Sequence, residues 1–252
     1  MAPHLSVIIP AHNEERRLPG SLARVQSFLK AQAYESELIV VDSGSRDRTA
    51  AVARQHGLQD PTLRLYQEPL PGKGRAVRRG MLEARGEYRF ICDADLSMPV
   101  EEIPRFLPPA LPQADVVIAS RELSGARRYG EPAYRHWVGR IFNGIVRRLA
   151  IPDFQDTQCG FKCFRAAVAE DLFSVQRLDG WTFDVEVLYI ALRRGYQVVE
   201  IPIPWTFEPG SRVRIAQDSV TMFLDLFRIQ RNWARGWYDR PQARPSPSDP
   251  RT

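Results

Sequence analysis

Short apolar runs recur along the first half of this chain, each stopped by a polar or Gly-rich loop and followed by a helical pattern. Leu5 to Ile9 stops at Pro10, Glu37 to Val41 ends in Asp42-Ser43-Gly44-Ser45, and Thr62 to Tyr66, Tyr88 to Cys92 and Ala114 to Ala119 follow at short intervals. Between them, apolar residues at helical spacing predict a helix from about Gly20 to Ala33, with Leu22, Val25, Phe28 and Leu29 on one face. A second helix contains Val52 and can be capped by Ser45 or Asp47. A third opens at Pro71-Gly72-Lys73-Gly74 and runs through Val77 and Met81 to Ala84. Strands alternating with helices this closely must pair mostly in parallel, with helices on both faces, so the first half is expected to be a Rossmann-like α/β unit.

The rest of the chain reads as more helical. Pro104 to Leu111 is irregular or a short helix. Tyr134 to Ala150, Phe183 to Arg194 and about Asp218 to Tyr238 are helices, and Gln197 to Ile203 is a strand. There is no internal repeat. From Asp239 onward the chain lacks apolar residues and is expected to be a disordered tail over 239–252. A single domain over 1–238 is expected, its α/β half over 1–122 and its more helical half over 123–238; two small domains are possible but not required.

Composition narrows the partners. The 252 residues carry a net charge of +5, which favours an anionic partner such as phosphate groups, nucleic acid or an anionic membrane face. Cys92, Cys159 and Cys163 are too few and wrongly spaced for a disulfide framework or a zinc site, which points to a reducing compartment. No stretch reaches the roughly 18 apolar residues that span a bilayer. The expected location is cytoplasmic, on a membrane face without crossing it.

Two carboxylates stand where the run Tyr88 to Cys92 ends, in Asp93-Ala94-Asp95. Hard oxygen ligands at the carboxyl end of a parallel strand suit Mg²⁺ or Mn²⁺ completed by substrate phosphates. With 15 aspartates in 252 residues, roughly one Asp-x-Asp arises by chance, so the triplet needs company. That company is an ordered series: Pro10-Ala11-His12-Asn13-Glu14, Asp42-Ser43-Gly44-Ser45, Gly72-Lys73-Gly74, then Asp93-Ala94-Asp95. Each follows a strand, so all four can meet on one sheet edge and form a nucleoside-diphosphate pocket. There Asn13 and Glu14 can bond base and ribose, Asp42 can read the base edge and Lys73 can supply positive charge. The alternative is that Asn13 and Asp42 only organise turns. No Walker loop and no G-x-G-x-x-G after the first strand is present, which disfavours kinase and dehydrogenase readings. The Gly-rich, Arg-containing loop expected of a nucleotidyltransferase is absent too.

These loops resemble those of family 2 inverting glycosyltransferases of GT-A fold. Asp156-Thr157-Gln158-Cys159-Gly160-Phe161-Lys162-Cys163-Phe164, Trp181-Thr182-Phe183-Asp184-Val185-Glu186 and Gly210-Ser211-Arg212-Val213 resemble the dolichyl-phosphate β-glucosyltransferase branch. The resemblance implies transfer of glucose from UDP-glucose to a polyprenyl phosphate, with Mg²⁺ or Mn²⁺ on Asp93 and Asp95 and no nucleic-acid partner. It implies donor contacts from Pro10, Ala11, Asn13, Glu14, Asp42, Gly44, Lys73, Asp93, Ala94, Gln158, Lys162 and Arg212. Asp95, Asp184, Arg121 and Arg135 are the implied catalytic group, the two arginines holding the acceptor phosphate. Asp184 can face the acceptor or pair on the helix it begins. Ser43, Ser97 and Arg212 depart from the family's usual Asp, amide and Lys. GDP-mannose as donor, a soluble acceptor, or a non-catalytic nucleotide-sugar-binding protein remain open, as does the oligomeric state.

Two helices bear on the membrane. Trp137, Ile141, Ile145 and Leu149 share one side of the helix from Tyr134. In the last helix Val220, Met222, Phe223, Leu224, Leu226, Phe227, Ile229 and Trp233 form an arc wider than the roughly 100° a surface helix needs. Arg228, Arg231 and Arg235 are expected toward headgroups, and Trp233, Trp237 and Tyr238 at the boundary; the alternative is that both helices simply cover the sheet.

Overall fold

The computed structural model describes residues 2–208 and 215–239, without the side chains of 133–136, 138, 142 and 215–219. Period-two burial builds its sheet from the first strand outward. In β1 (Leu5–Ala11), Val7 and Ile9 join Leu38, Val40, Leu22 and Val25 on one face, while Ile8 joins Ile39, Val41, Val77 and Met81 on the other. Burial on both faces explains the continuous Val/Ile runs. β1 pairs in parallel with β2 (Ser36–Ser43) and β4 (Tyr88–Cys92), and β2 with β3 (Leu63–Glu68). Farther on, β5 (Val116–Ser120) pairs in parallel with β8 (Val198–Pro202). β6 (Arg127–Tyr129) and β9 (Pro204–Thr206) make a separate parallel pair, so the expected strand Gln197 to Ile203 continues past a break.

The seven-stranded order is β3-β2-β1-β4-β7-β5-β8. Its fifth strand, β7 (Phe161–Arg165), lies between β4 and β5 and runs antiparallel to both. Neither β7 nor the helix after it, α5 (Ala166–Val175), is expected from the sequence pattern. The reason lies at Lys162, which puts a charge into a buried five-residue strand and breaks its apolar signature. Because β7 and β8 follow residue 122, both halves of the chain share one sheet.

Helices α1 (Leu18–Lys30) and α2 (Thr49–Gln59) lie on one face of the sheet, and α3 (Lys73–Glu83), α5 and α6 (Phe183–Arg193) on the other. Arg48, not Ser45 or Asp47, is the N-cap of α2, although Asp47 Oδ1 accepts the Thr49 N–H at 3.0 Å from just outside the helix. A 3-10 segment, Val100–Phe106, begins ahead of the region expected to be irregular.

α4 (Ala133–Leu149) packs against α7 (Ile215–Ala234), and Gln230 Nε2 donates to Leu149 O. In α7 the wide apolar arc divides. Met222, Leu226 and Ile229 are buried, whereas Val220, Phe223, Leu224 and Phe227 are exposed. Trp137 and Ile141 of α4 are also exposed, while Ile145 and Leu149 pack on the core. Tyr238, expected at a lipid boundary, is instead buried, its hydroxyl donating to Glu186 Oε1 at 2.6 Å. Glu186 cannot stay charged in that apolar place without donors, and Tyr238 is one of them. Apart from Asp239, the expected tail lies outside the described residues. Among the described residues, no helix is long and apolar enough to cross a membrane.

Candidate functional site

Parallel pairing puts the loops after β1, β2 and β4 on one sheet edge, where they surround a cavity of about 290 Å³. The first two loops are tied together. Asn13 takes a positive φ of 53°, its N–H donates to Ser45 Oγ at 2.8 Å, and its Oδ1 accepts the Arg46 N–H at 2.8 Å. Asparagine tolerates that left-handed conformation better than most residues. Glu14 N–H donates to Thr49 Oγ1, and the Glu14 carboxylate accepts both Arg17 Nε and Nη2, at 2.7 and 2.9 Å. His12 Nδ1 lies 2.6 Å from Ser43 O, as suits a loop residue.

Gly44 adopts φ +61°, and a Cβ there would meet Pro71 N at 2.8 Å. Only glycine lets the loop before α3 pack so closely, and Ser43 Oγ fixes it by accepting the Gly72 N–H at 2.8 Å. Asp42 is buried at the end of β2. Its Oδ2 accepts Gln67 Nε2 at 3.3 Å, while Oδ1 is buried without a hydrogen-bond partner among the described residues. An orphaned acceptor of this kind fits an N–H donor on a ligand.

The turn after β4 is held with some strain: Leu96 has φ +49°, rare for a branched side chain. Asp95 Oδ1 accepts the Ser97 N–H at 3.0 Å, and Ser21 Oγ donates to Ala94 O at 2.6 Å. Beside them Lys73, the first residue of α3, places Nζ 2.7 Å from Asp93 Oδ1 and 5.4 Å from the Trp181 ring centroid. Burial pulls the Lys73 pKa down, but Asp93, Asp184 and Asp95 outweigh it and the net shift is upward. Burial, then repulsion from Asp93, holds Asp95 above the usual carboxylate range, against the Ser97 and Lys73 contacts.

The second half of the chain closes the site. Gly160 presses on Asp93, since a Cβ there would lie 1.8 Å from Oδ2. Lys162 neither lines the cavity nor reaches solvent; its Nζ bonds Cys159 O and Asp184 Oδ1, each at 2.6 Å. Its expected contact with sugar or phosphate can therefore run only through Asp184, which does line the cavity. Burial raises the Asp184 pKa, opposed by Lys162 and Lys73. Arg121 lines the cavity with Nε 2.6 Å and Nη2 2.9 Å from the fully buried Asp156. Despite burial, that pairing holds Asp156 down at about 2. Cys159 and Cys163 pack as small apolar groups, and burial pushes the Cys159 thiol up to about 12.

Pro10, Ala11, Glu14, Lys73, Asp93, Ala94, Asp95, Arg121, Gln158 and Asp184 meet at this cavity, whereas Asn13, Asp42, Gly44 and Lys162 support it from behind. Arg135 belongs to α4, but its side chain lies outside the described residues, as does Arg212 entirely. The sequence reading missed Arg17, Trp205, Phe207 and Met222. Arg17 is three residues beyond Glu14, a spacing that pairs charges on a helical turn. Met222 was read only as part of an apolar arc.

Comparison with known proteins decides the family. The model for Glycosyl transferase family 2 matches residues 6–173. The chain belongs to glycosyltransferase family 2. Curated relatives of this glycosyltransferase include the Drosophila melanogaster dolichyl-phosphate beta-glucosyltransferase, 34% identical over 248 residues, covering 92% of this chain and 74% of that protein. The human protein of the same name is 32% identical over 256 residues, covering 95% and 79%. Among solved structures, glucosyl-3-phosphoglycerate synthase of Mycobacterium tuberculosis superposes with a TM-score of 0.67 at 18% identity, covering 90% of this chain and 80% of that one. The same synthase, in complex with Mn²⁺, UDP and glucosyl-3-phosphoglycerate, superposes at 0.65 over 90% of this chain and 78% of that one, again at 18% identity. The glycosyltransferase therefore has the GT-A fold.

Among the described residues no three His, Cys, Asp or Glu side chains gather to hold a metal ion. The site offers a carboxylate pair, Asp93 and Asp95, whose mutual repulsion a cation would relieve. Such a pair fits Mg²⁺ or Mn²⁺, which keeps waters and phosphate oxygens as its other ligands.

Proposed function

We propose that this glycosyltransferase moves glucose from UDP-glucose to a polyprenyl phosphate of the dolichyl type, with Mg²⁺ or Mn²⁺ held by Asp93 and Asp95. The observation that carries the reading is a single cleft lined by both charged and apolar side chains. Its lining combines Lys73, Asp93, Asp95 and Asp184 with Trp205, Phe207 and Met222. A nucleotide sugar needs the charged set, and a phosphate with an apolar chain needs both. Relatives named for the dolichyl-phosphate reaction cover most of this chain, which supports both substrates. Solved neighbours in complex with UDP and Mn²⁺ or Mg²⁺ support the metal.

Asp42 Oδ1 would accept a base N–H, and Asn13 and Glu14 would border base and ribose. Bound at Asp93 and Asp95, a divalent ion would neutralise charge developing on the departing diphosphate. Lys73 adds a positive charge on the same side. The acceptor phosphate is already anionic near neutral pH, so it needs positioning more than a base. Arg121 suits that task because Asp156 fixes its guanidinium through Nε and Nη2, leaving Nη1 for the phosphate. Asp184, paired with Lys162, shapes the field at Lys73 rather than taking a proton.

The same reading makes this a peripheral protein of a cytoplasmic membrane face. α7 gives Met222 to the cavity and exposes Val220, Phe223, Leu224 and Phe227, with exposed Arg228, Arg231 and Arg235 on the same helix and the turn after it. An apolar chain leaving the cleft would meet that face. A soluble phosphorylated acceptor has support only from the synthase likeness at 18% identity, against relatives named for dolichyl phosphate at 32–34%.

The test is incubation of the full chain with radiolabelled UDP-glucose, Mg²⁺ and a short polyprenyl phosphate in detergent, followed by solvent extraction. Parallel arms use GDP-mannose and 3-phosphoglycerate. Labelled glucosyl lipid is expected from UDP-glucose. Product only from GDP-mannose, or only in the aqueous arm, would replace the donor or the acceptor assignment respectively.

A further inference from the structure

The carboxylate pair in the donor cleft already has a cation of its own. Lys73 Nζ sits 2.7 Å from Asp93 Oδ1, with the two side chains 14% and 24% exposed. The other oxygen, Oδ2, is covered by Gly160: it occupies the space where a Cβ would stand, 1.8 Å away. One oxygen of Asp93 is thus walled by backbone and the other is capped by an ammonium. A metal binding at Asp93 Oδ1 would compete with Lys73 for that oxygen.

We propose that Lys73 is a tethered counter-ion, seated on Asp93 until metal and nucleotide arrive and then transferred to the donor diphosphate. This rests on the reading of Asp93 and Asp95 as metal-holding carboxylates. Asp93, Asp184 and Asp95 all attract Lys73, which offsets part of their charge when nothing is bound. Incoming divalent charge on Asp93 and Asp95 removes that attraction, while the diphosphate creates a new one nearby. The move is short because Lys73 opens α3 on a flexible stem at the cavity wall.

Residue type agrees with this role. Only three of the chain's 35 basic residues are lysines, yet one of them stands here. An ammonium is a compact charge that can exchange one oxygen for another, whereas a guanidinium fork would lock onto the carboxylate through two bonds. The Trp181 ring, 5.4 Å from Nζ, reports the seated position.

The experiment measures Mn²⁺ binding to the full chain without nucleotide, by paramagnetic resonance of the free ion, in wild type, Lys73→Met and Lys73→Arg. Removing the competing cation should tighten Mn²⁺ binding by about tenfold. Lys73→Arg should bind no tighter than wild type. With UDP present Lys73→Met should instead lose nucleotide affinity. Mg²⁺ titration should shift tryptophan emission in wild type but not in Lys73→Met or Trp181→Phe. Unchanged or weaker Mn²⁺ binding by Lys73→Met overturns the proposal, as does Lys73→Arg binding as tightly as Lys73→Met, or wild-type emission indifferent to Mg²⁺. If no protein binds Mn²⁺ with or without UDP, the metal reading fails and the handover with it. Mn²⁺ binding that is indifferent to Lys73 sinks the handover alone.

Discussion

Lys162 Nζ lies 2.6 Å from Asp184 Oδ1, and both side chains are almost closed to solvent. Two opposite charges that deep are stable only together, because removing either leaves the other without water or a partner. Their shared position beneath the cleft makes one electrostatic unit of a strand residue and a helix residue.

Lys162→Met should therefore destabilise the fold by about 3–5 kcal/mol in urea unfolding. The double variant Lys162→Met, Asp184→Leu should recover most of that loss while leaving transfer activity low. A single variant as stable as wild type would mean the pair is solvated in solution.

Gly160 should tolerate no side chain. Gly160→Ala must push Asp93 aside, and a displacement of about 1 Å at a reacting centre costs on the order of 100-fold in kcat. In an Asp93→Ala background the same substitution should cost nothing further, since the two act on one group. Additive losses from the two changes would mean Gly160 serves something other than Asp93.

Acid stability should depend on Asp156. Its pKa of about 2 lies below the ordinary 3.8. The ionised, Arg121-paired form thus stabilises the fold fully above the unfolded pKa, and that stability is lost as pH falls from about 4 toward 2. The contribution is about 2 kcal/mol. Asp156→Asn should be less stable at pH 7 and show a flatter stability curve between pH 4 and 2. Curves that run parallel for the two proteins would assign the acid sensitivity elsewhere.

Substituting Phe223, Leu224 and Phe227 together by Ser should lower co-sedimentation with anionic vesicles by roughly tenfold or more, given the apolar area removed. Because these side chains are exposed, unfolding free energy should change by only about 0.5 kcal/mol per site. A full chain that stays in the supernatant at low salt would remove the membrane from the proposal.

The residues that speak locally were legible from sequence. Val7, Ile8 and Ile9 announce a strand buried on both faces, and Asn13, Gly44, Lys73 and Asp93 fall into loops whose order alone brings them to one edge. What stayed hidden depends on distant partners. Lys162 disguises β7 because its neutralising carboxylate is on α6, and α5 follows β7 with no turn residue to mark it. The apolar arc of α7 was visible, but its division between Met222 inside and Phe223 outside depends on where α4 and the sheet sit. Tyr238 looks like a lipid-facing aromatic until Glu186 is found beneath it.

The antiparallel strand β7 also sets the order in which the molecule can be completed. During synthesis β4 and β5 emerge long before Phe161–Arg165, yet each needs that segment as its neighbour. Until it arrives both strands expose unpaired backbone edges, the kind that recruit other chains. The nucleotide-facing half is therefore not a module that evolution or a designer could lift out and graft elsewhere: a fragment ending before β7 would carry the donor loops on four strands with β4 as a bare edge and β5 without a partner.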